Sequence, residues 1–444
     1  MFLEKTFSVN RRWVGFLLFI LFALITSLWI TEGWAQGKIK LRWATYRTSK
    51  EELAIFDKII KDFEKENPNI TIEIEPVAWK DQMTYIVGSI ASHTEPDIIN
   101  LMLESVSHYA KFGYLASLDD LIDEIGRSDF YEDILEANTY KGKIYAMPWD
   151  YTRAIFWYRK DLFSAKGLKP PKTWEELLEC AKALTQEKEG IYGIVVPYGR
   201  NQWTAVFFES FLWSNGGNIF DKSFNIIFNS KENAQTLKYL NELSKLSPPG
   251  SSEYSYEQTM NTFVVGKAAM IMYFGRLLSA VYQRNPDLKD KMGTFIISKK
   301  EQVKWNGMGM LGVMKGSKYP KEAKKFLKYY ITNPDYVKIL HSVPTHYWPS
   351  IKSVARSGKF LSHPLFKAHP DVIETMRSEM GSGKQVSWEY PGYSNPYADG
   401  IVTSQIIEDT VQRVLLKGDS PEKALAWAQK EMESALEETK KIEK

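Results

Sequence analysis

Trp149-Asp150-Tyr151 places a carboxylate between two aromatic rings, directly after a proline. Pro148 has no N–H and a fixed φ angle, so we expect the apolar run at residues 144–147 to end there. Residues 154–158 are rich in aromatic and β-branched side chains and predict a buried strand. A kink of this kind suits a chain crossing between two lobes, with ligand-facing side chains on the crossing. A hairpin whose rings fill a core is the alternative, and this stretch alone favours neither.

Catalytic motifs are weak in this sequence. Residues 307–312 match GxGxxG by letter, but apolar residues follow where a dinucleotide site needs a helix, so a glycine turn between strands is favoured. The histidines form no HExxH or Cys/His cluster, and no GxSxG elbow is present. We therefore expect no metal and no cofactor. Glu104 and Asp150 could in principle be the carboxylate pair of a glycoside hydrolase, since a sequence does not give their separation.

The N-terminal third alternates between strand and helix patterns. Residues 39–43 and 70–74 alternate as strands, and Ser49 with Glu52 forms a capping box that begins the helix between them. Residues 97–101 form a third, mostly apolar strand. This order predicts a parallel α/β sheet, in which ligands bind beyond the carboxyl ends of the strands. The residues that follow the first and third strands are Thr45-Tyr46-Arg47 and Met102-Leu103-Glu104.

Further along the chain, Thr173 and Glu176 predict another capping box, and residues 193–196 a strand. Asn229 is the expected cap of a helix that ends near residue 246. Residues 263–275 join a helix end to a buried strand and a break, and the final third is mainly helical.

Length and composition describe a globular protein of two domains. The chain has 444 residues, 44% of them hydrophobic and 25% charged, and its net charge is only +3. Nothing in this charge calls for nucleic acid. Cys180 is the one cysteine, so no disulfide can form within the chain.

The first 37 residues differ in kind from the rest. Three basic residues precede an apolar run at 13–30, and small and polar residues follow up to Gly37. This is the pattern of a secretory signal peptide, with an uncleaved N-terminal anchor as the alternative. Either reading places the main body outside the cytoplasm, in the periplasm or on the outer face of the membrane.

Five segments in order, residues 59–70, 141–185, 263–275, 307–335 and 397–436, resemble the extracellular solute-binding proteins of ABC importers. This family includes maltose-binding protein, and the resemblance covers nearly all of the mature chain. It implies an α/β fold of two lobes, the type II periplasmic-binding-protein fold, with three hinge crossings and the solute in the cleft. On this sequence the crossings would fall near residues 148–151, 273–275 and 332–335. Lobe 1 would then be 38–148 plus 276–331, and lobe 2 would be 149–275 plus 332–444.

The function implied by the resemblance is carriage without catalysis. We expect a monomer that closes by a hinge motion on a carbohydrate, in particular an oligosaccharide. It would deliver this solute to transmembrane permease subunits and their ATPase. A secreted carbohydrate-active hydrolase is the alternative from another class.

A sugar offers apolar ring faces that pack on aromatic side chains, and hydroxyls that need planar donors and acceptors. The chain is rich in such rings, with 14 Trp and 24 Tyr. The expected stacking residues are Trp149, Tyr151, Trp203, Tyr273, Trp305 and Trp348, and the expected polar or edge contacts are Tyr46, Arg47, Glu104 and Asp150. For Trp203 and Trp305, packing in a core is at least as strong an expectation.

Two positions depart from the family pattern. Met102 stands where many members have an Asp, with Glu104 as the candidate substitute, and His346 stands where the family often has an Arg. These departures bear on ligand identity. A glycerol phosphate-type polyol ester is the alternative ligand, and it would require positive charge in the cleft from Arg47 and Arg276.

Overall fold

The computed structural model describes residues 38–378 and 383–441. The predicted signal peptide or anchor at residues 1–37 lies outside these residues. Within the described ranges, no helix combines the length and the apolar character that crossing a bilayer requires.

Strands and helices alternate in the first part of the chain, and helices dominate the last part. The strands are β1 Ile39–Thr45, β2 Ile70–Pro76, β3 Ile98–Leu101, β4 Thr139–Tyr140, β5 Lys143–Ile144, β6 Met147–Arg159, β7 Met270–Phe274, β8 Met292–Phe295, β9 Trp305–Val313 and β10 Trp348–Pro349. The helices up to the last strands are α1 Lys50–Glu66, α2 Gln82–Ala91, α3 Leu103–Lys111, α4 Asp119–Ile125, α5 Glu132–Ala137, α6 Lys160–Ala165, α7 Trp174–Leu184, α8 Gln202–Ser214, α9 Lys231–Ser244, α10 Tyr256–Val264 and α11 Arg276–Arg284. The later helices are α12 Pro320–Thr332, α13 Tyr336–Ser342, α14 Lys352–Ala355, α15 Gly358–Leu361, α16 Pro364–Ala368, α17 Pro370–Ser378, α18 Ala398–Ser404, α19 Ile406–Leu415 and α20 Pro421–Lys441.

The main sheet has the strand order β10-β6-β9-β3-β1-β2, and β7 and β8 also pair with β6. Strand β1 is parallel to both β2 and β3, as the sequence predicted. Strand β9 runs antiparallel to β3, so the sheet as a whole is mixed.

The segment around Pro148 is one continuous strand of 13 residues rather than two pieces that meet at a break. The proline interrupts only the pairing with β9, because the register shifts by a β-bulge between Pro148 and Asp150. The bulge turns the Asp150 side chain toward β9, where the backbone N–H of Gly309 donates to its Oδ1. The expectation that the strand ends at Pro148 is therefore wrong, because long-range pairing carries the strand through the β-bulge.

Strands β6 and β9 connect the different parts of the main sheet. The first half of β6 pairs with β9 and β10, and its second half pairs with β7 and β8. Strand β9 begins at Trp305, opposite Ala154, and ends at Val313, opposite Ile98 of β3. This pairing favours β9 as the second crossing over the predicted position near residues 273–275, because β8 returns to β6 after β7. The lobe boundaries stay a prediction.

Most of the helix caps predicted from the sequence are present in the structure. The capping box of Ser49 and Glu52 begins α1. Thr173 caps α7 by accepting from the N–H of Glu176, whose carboxylate accepts instead from the N–H of Lys172. The cap of α9 is Ser230, one residue after the predicted Asn229. Residues 193–196 form only single bridges to the segment at 268–271, because no second strand runs beside them for long enough.

The core beneath β1 fixes the loop that follows this strand. The Trp43 ring lies 4.9 Å from that of Phe56 and 5.7 Å from that of Tyr330, between α1 and α12. Its indole N–H donates to Asn100 Oδ1 at 3.0 Å, which ties β1 to β3. With Trp43 held on both sides, Thr45 and the residues after it project from the end of the sheet.

Candidate binding site

Arg47 is enclosed by aromatic rings at the end of β1. Its guanidinium lies 4.6 Å from the ring centroid of Tyr347, 4.9 Å from that of Tyr46 and 5.3 Å from that of Trp149. One terminal nitrogen donates to the Tyr347 hydroxyl at 2.5 Å, and the other lies 3.4 Å from Asp150 Oδ2. The ring faces and the carboxylate both favour the cation, so they offset the cost of burying it.

Asp150 is fully buried and connects strands β6 and β9. It accepts hydrogen bonds from the Gly309 N–H and from Arg47. Burial raises its pKa to about 6, although both of these donors oppose the shift. A Cβ at residue 309 would lie 2.1 Å from Asp150 Oδ1, so the close approach needs a glycine.

Trp149 and Tyr151, the predicted aromatic residues of β6, contact different neighbours. Trp149 packs 5.5 Å from the ring of Tyr347 and belongs to the Arg47 cluster. Tyr151 is fully buried, and its hydroxyl lies 3.4 Å from Arg153, the next residue on the same face of the strand. Thr152, on the opposite face, pairs with His346 Nδ1 at 2.9 Å.

Phe274 is the centre of a second aromatic group. Its ring lies 5.0 Å from Trp203, 5.7 Å from Trp305 and 5.5 Å from His346. Burial holds the pKa of His346 well below its usual range, so this side chain is neutral and does not replace the family's arginine as a cation. The group joins β7, β9 and α8 in one continuous aromatic surface.

Tyr273 and Trp203 support this surface from behind. The Tyr273 ring stacks on that of Tyr256 at 4.6 Å, and its hydroxyl donates to the Tyr256 carbonyl at 3.1 Å. Trp203 packs 5.1 Å from Tyr273 and 5.3 Å from Tyr256. Both predicted residues are almost fully buried in this packing.

Arg276 begins α11 next to these rings. Its guanidinium lies 5.9 Å from the ring centroid of Tyr256, and its buried Nε–H has no acceptor among the described residues. A buried N–H without an acceptor is costly, so this group is available to an acceptor that a ligand would bring.

Three glutamates meet on the other side of Trp305. Glu104 of α3, Glu209 of α8 and Glu408 of α19 line a cavity of about 10 Å³. The Trp305 indole N–H donates to Glu209 Oε2 at 3.1 Å. Burial raises the pKa of Glu104 and of Glu408 to about 7, and that of Glu209 well above its usual range.

Helices α3 and α18 close one side of this cavity. Ser105 Oγ donates to Asp399 at 2.6 Å, and Ser107 Oγ donates to the Asn395 carbonyl at 2.8 Å. His108 Nδ1 lies 3.2 Å from the Pro396 carbonyl oxygen. These hydrogen bonds tie α3 to α18 and to the residues just before it, beside buried apolar side chains such as Val106 and Ile401.

Trp348 is the predicted stacking residue that lies apart from the others. Its ring stacks on Phe366 at 5.9 Å and meets Phe360 edge-on at 5.5 Å. Its indole N–H donates to the Thr345 carbonyl at 3.3 Å. The side chain is almost fully buried in this separate aromatic group.

Apart from Trp348, the predicted residues therefore fall into two groups, one around Arg47 and one around Trp305. Sequence reasoning missed Phe274, Tyr256, Tyr347, Glu209 and Glu408. Glu209 had a signal, because it is the one charged residue in the otherwise apolar and aromatic helix α8. The other four had none that separates them from packing residues.

The fold and the lining of aromatic rings and buried polar groups define a ligand-binding protein of two lobes, with the type II periplasmic-binding-protein fold. The chain belongs to the family described as bacterial extracellular solute-binding protein, whose model matches residues 47–336.

Known relatives span nearly the whole chain. The putative ABC transporter periplasmic-binding protein YcjN of Escherichia coli is 25% identical over 403 residues, which are 88% of this chain and 91% of that protein. The structure of T. maritima MalE3 with bound maltose has a TM-score of 0.74 and 24% identity, and the match covers 89% of this chain and 99% of MalE3. A solute-binding protein from Agrobacterium radiobacter in complex with ribitol has a TM-score of 0.74, 23% identity, and coverage of 90% and 99%.

Proposed function

We propose that this protein is the solute-binding component of an ABC importer for a carbohydrate or polyol. It holds the solute between its lobes, outside the cytoplasm, and delivers it to permease subunits driven by their ATPase. Membership of the solute-binding family supports the transport role. The maltose in one similar structure and the ribitol in another support a polyhydroxylated solute.

The observation that carries this proposal is an aromatic group bordered by polar side chains, one of which has a buried N–H without an acceptor among the described residues. Phe274 and Trp305 offer aromatic rings, Arg276 offers its buried Nε–H, and Glu104 offers carboxylate oxygens beside Trp305. Sugars and polyols carry apolar C–H faces and hydroxyls that both donate and accept, so they satisfy both kinds of group at once.

The proposed contact residues are a subset of the predicted ones with additions. Tyr46, Glu104 and Trp305 remain candidates for direct contact, and Arg276 and Phe274 join them. The rings of Trp203, Tyr273 and Tyr151 are proposed to support the site from behind, because each is already packed on protein. Trp348 is left out of the proposed site, because it packs in a separate aromatic group. Arg47, Trp149 and Asp150 are proposed to tie the end of β1 to the hinge strands.

A glycerol phosphate-type ester is the second candidate solute, and the unpartnered Arg276 is the observation in its favour. Arg47 argues against this candidate, because Asp150 already supplies its counter-charge. A phosphate dianion would therefore meet one available cation beside several buried carboxylates.

Calorimetric titration with maltose-type oligosaccharides, ribitol and glycerol 3-phosphate tests the proposal. We expect saturable binding of a sugar or polyol, with no product after overnight incubation. Trp305→Leu should lower the affinity about tenfold or more, in line with the loss of a stacking platform. Trp427→Leu is the matched control. Trp427 of α20 packs on Arg413 of α19, away from these rings.

Three results would contradict the proposal. Binding of glycerol 3-phosphate alone would replace the solute with the second candidate, and hydrolysis of a bound oligosaccharide would replace carriage with catalysis. Absence of binding across the whole panel would overturn the polyhydroxylated solute.

A further inference from the structure

A row of four rings connects Arg47 to Arg276. The row consists of Tyr347, His346, Phe274 and Tyr256, whose successive ring centroids lie 4.9, 5.5 and 6.0 Å apart. The guanidinium of Arg47 lies 4.6 Å from the first ring, and that of Arg276 lies 5.9 Å from the last. Both arginines and Tyr256 are partly exposed, so a solute reaches the row from its two ends.

The side chains beside this row lack acceptors. Buried N–H groups without an acceptor among the described residues belong to Arg47, Trp149, Trp203 and Arg276. Trp203 is 4% exposed, and its ring packs 5.3 Å from that of Tyr256, at the Arg276 end of the row. A buried donor without an acceptor costs free energy, so these groups favour a solute that is rich in acceptors.

The first turn of α11 brings further donors to the Arg276 end of the row. Gly275 precedes the helix and has no side chain that could accept from its first N–H groups. Ser279 lies one turn after Arg276, and its buried hydroxyl also has no partner in residues 38–378 and 383–441. The helix dipole adds a partial positive charge at this end, which favours an anion.

Arg276 is the arginine of the row that has no counter-charge. Asp150 lies 3.4 Å from Arg47, and Glu52 accepts from the Tyr347 hydroxyl at 2.9 Å. In the part of the chain that the structure describes, Arg276 takes part in no ion pair. Burial lowers the pKa of His346, and the charges of Arg276 and Arg47 lower it further, so both charges act at the centre of the row.

A carboxylate matches this end of the row better than a phosphate does. The edge of a guanidinium that carries Nε–H and one terminal N–H can donate to both oxygens of a planar carboxylate. A carboxylate also brings one negative charge for the one arginine without a counter-charge. A phosphate dianion would bring a second negative charge into a region that already holds Asp150 and Glu52.

We propose that Arg276 and the first turn of α11 bind a carboxylate, so that the solute is an acidic sugar, such as a uronate or an aldonate. This inference rests on the proposed function and narrows its solute class. The carboxylate lies against Arg276 and the Trp203 N–H, and the apolar face of the sugar lies toward Phe274. The Phe274 ring is 5.0 Å from that of Trp203, so one solute spans both contacts.

Calorimetry with matched solutes tests the inference. The probes are glucuronate with glucose, gluconate with sorbitol, and trigalacturonate with its methyl ester. In each pair the two solutes have closely similar shapes and differ in charge. At about pH 7, where the sugar carboxylates are ionised, we expect the acid of at least one pair to bind about tenfold or more tightly than its neutral counterpart.

Variants locate this preference at α11. Arg276→Gln should lower the ratio of the two affinities to about one, because it removes the charge that distinguishes them. Arg276→Lys keeps the charge without the planar fork and should retain part of the ratio. Arg284→Gln is the matched control, because Arg284 ends the same helix and donates to Asn261 Oδ1 at 2.6 Å. It should keep the full ratio.

The ratio of affinities separates a charge contact from a structural role. A variant that only disturbs the fold weakens acid and neutral solutes alike, so the ratio stays as in the wild type. A full ratio in Arg276→Gln would therefore overturn the assignment of the carboxylate to this arginine.

The remaining outcomes separate this inference from the proposed function. Equal or tighter binding of the neutral solute in every pair, or binding of maltose-type sugars and ribitol alone, would overturn the carboxylate site and leave the sugar-binding function intact. Tighter binding of glycerol 3-phosphate than of every carboxylate would overturn the choice of anion. Absence of binding by every probe, charged or neutral, would overturn the function and with it the inference.

Discussion

Gly275→Ala should destabilise the protein by forcing two backbone segments apart. A Cβ at residue 275 would lie 1.8 Å from the carbonyl oxygen of Thr345 and 2.2 Å from its carbonyl carbon. Gly275 has φ −56° and ψ −24°, which alanine adopts without strain. The expected destabilisation therefore comes from the steric clash alone. To reach 3.0 Å, the Thr345 peptide must retreat by about 1.2 Å.

The Thr345 segment resists this movement through its hydrogen bonds. Thr345 Oγ1 donates to the Gly275 carbonyl at 2.7 Å, and the Trp348 indole donates to the Thr345 carbonyl at 3.3 Å. Loss of these bonds costs about 1 kcal/mol each, and overpacking adds about 1–3 kcal/mol. We expect the free energy of unfolding to fall by about 3–5 kcal/mol on this basis.

Urea denaturation monitored by tryptophan fluorescence measures this loss, and Gly88→Ala provides the control. Gly88 is exposed within α2, and a Cβ there would meet nothing within 4 Å. The same substitution should therefore stabilise the protein at Gly88 by about 0.5–1 kcal/mol. A Gly275→Ala variant as stable as the wild type would refute the reasoning, since it would mean that the two segments separate at little cost.

Two further predictions concern buried charges. Arg47→Met should lower the free energy of unfolding by about 3–5 kcal/mol, because it leaves Asp150 buried without its cation, and adding Asp150→Asn should restore part of the loss. Failure of the second substitution to restore any stability in urea denaturation would count against the ion pair. Glu389→Gln should gain stability relative to the wild type as the pH rises, because the wild-type folded state keeps a proton up to a pKa of about 7 that the unfolded chain releases near pH 4.3. The expected gain is about 1.4 kcal/mol per pH unit within that window, and a difference independent of pH would contradict it.

Much of the N-terminal fold could be predicted from local patterns. The capping box at Ser49 marks the start of α1, and the alternation at residues 70–74 marks β2. These signals work because helix caps and strand alternation depend on residues a few positions apart. The crossing near residues 273–275 stays a prediction, and the strand pairing there is long-range: β7 and β8 both pair with β6, and β9 pairs with β3.

The candidate site could be predicted only in part. Arg47 and Glu104 follow from the rule that the ends of parallel strands face a ligand, and both lie beside the two groups of the site. Trp348 fits the same composition argument, yet it packs on Phe360 and Phe366. An aromatic side chain looks the same in sequence whether it meets a ligand or another ring, so its role depends on the neighbours it meets after folding.

The sequence by itself determined the α/β class and the family, because the patterns that indicate them lie in residues close together along the chain. Only the tertiary structure decided that Glu104, Glu209 and Glu408 share one cavity and that Asp150 faces Gly309. Those residues are separated by more than 100 positions, and a one-residue change of strand register would move the Asp150 side chain to the other face of β6. The specificity of this protein therefore depends on long-range pairing that local patterns do not record.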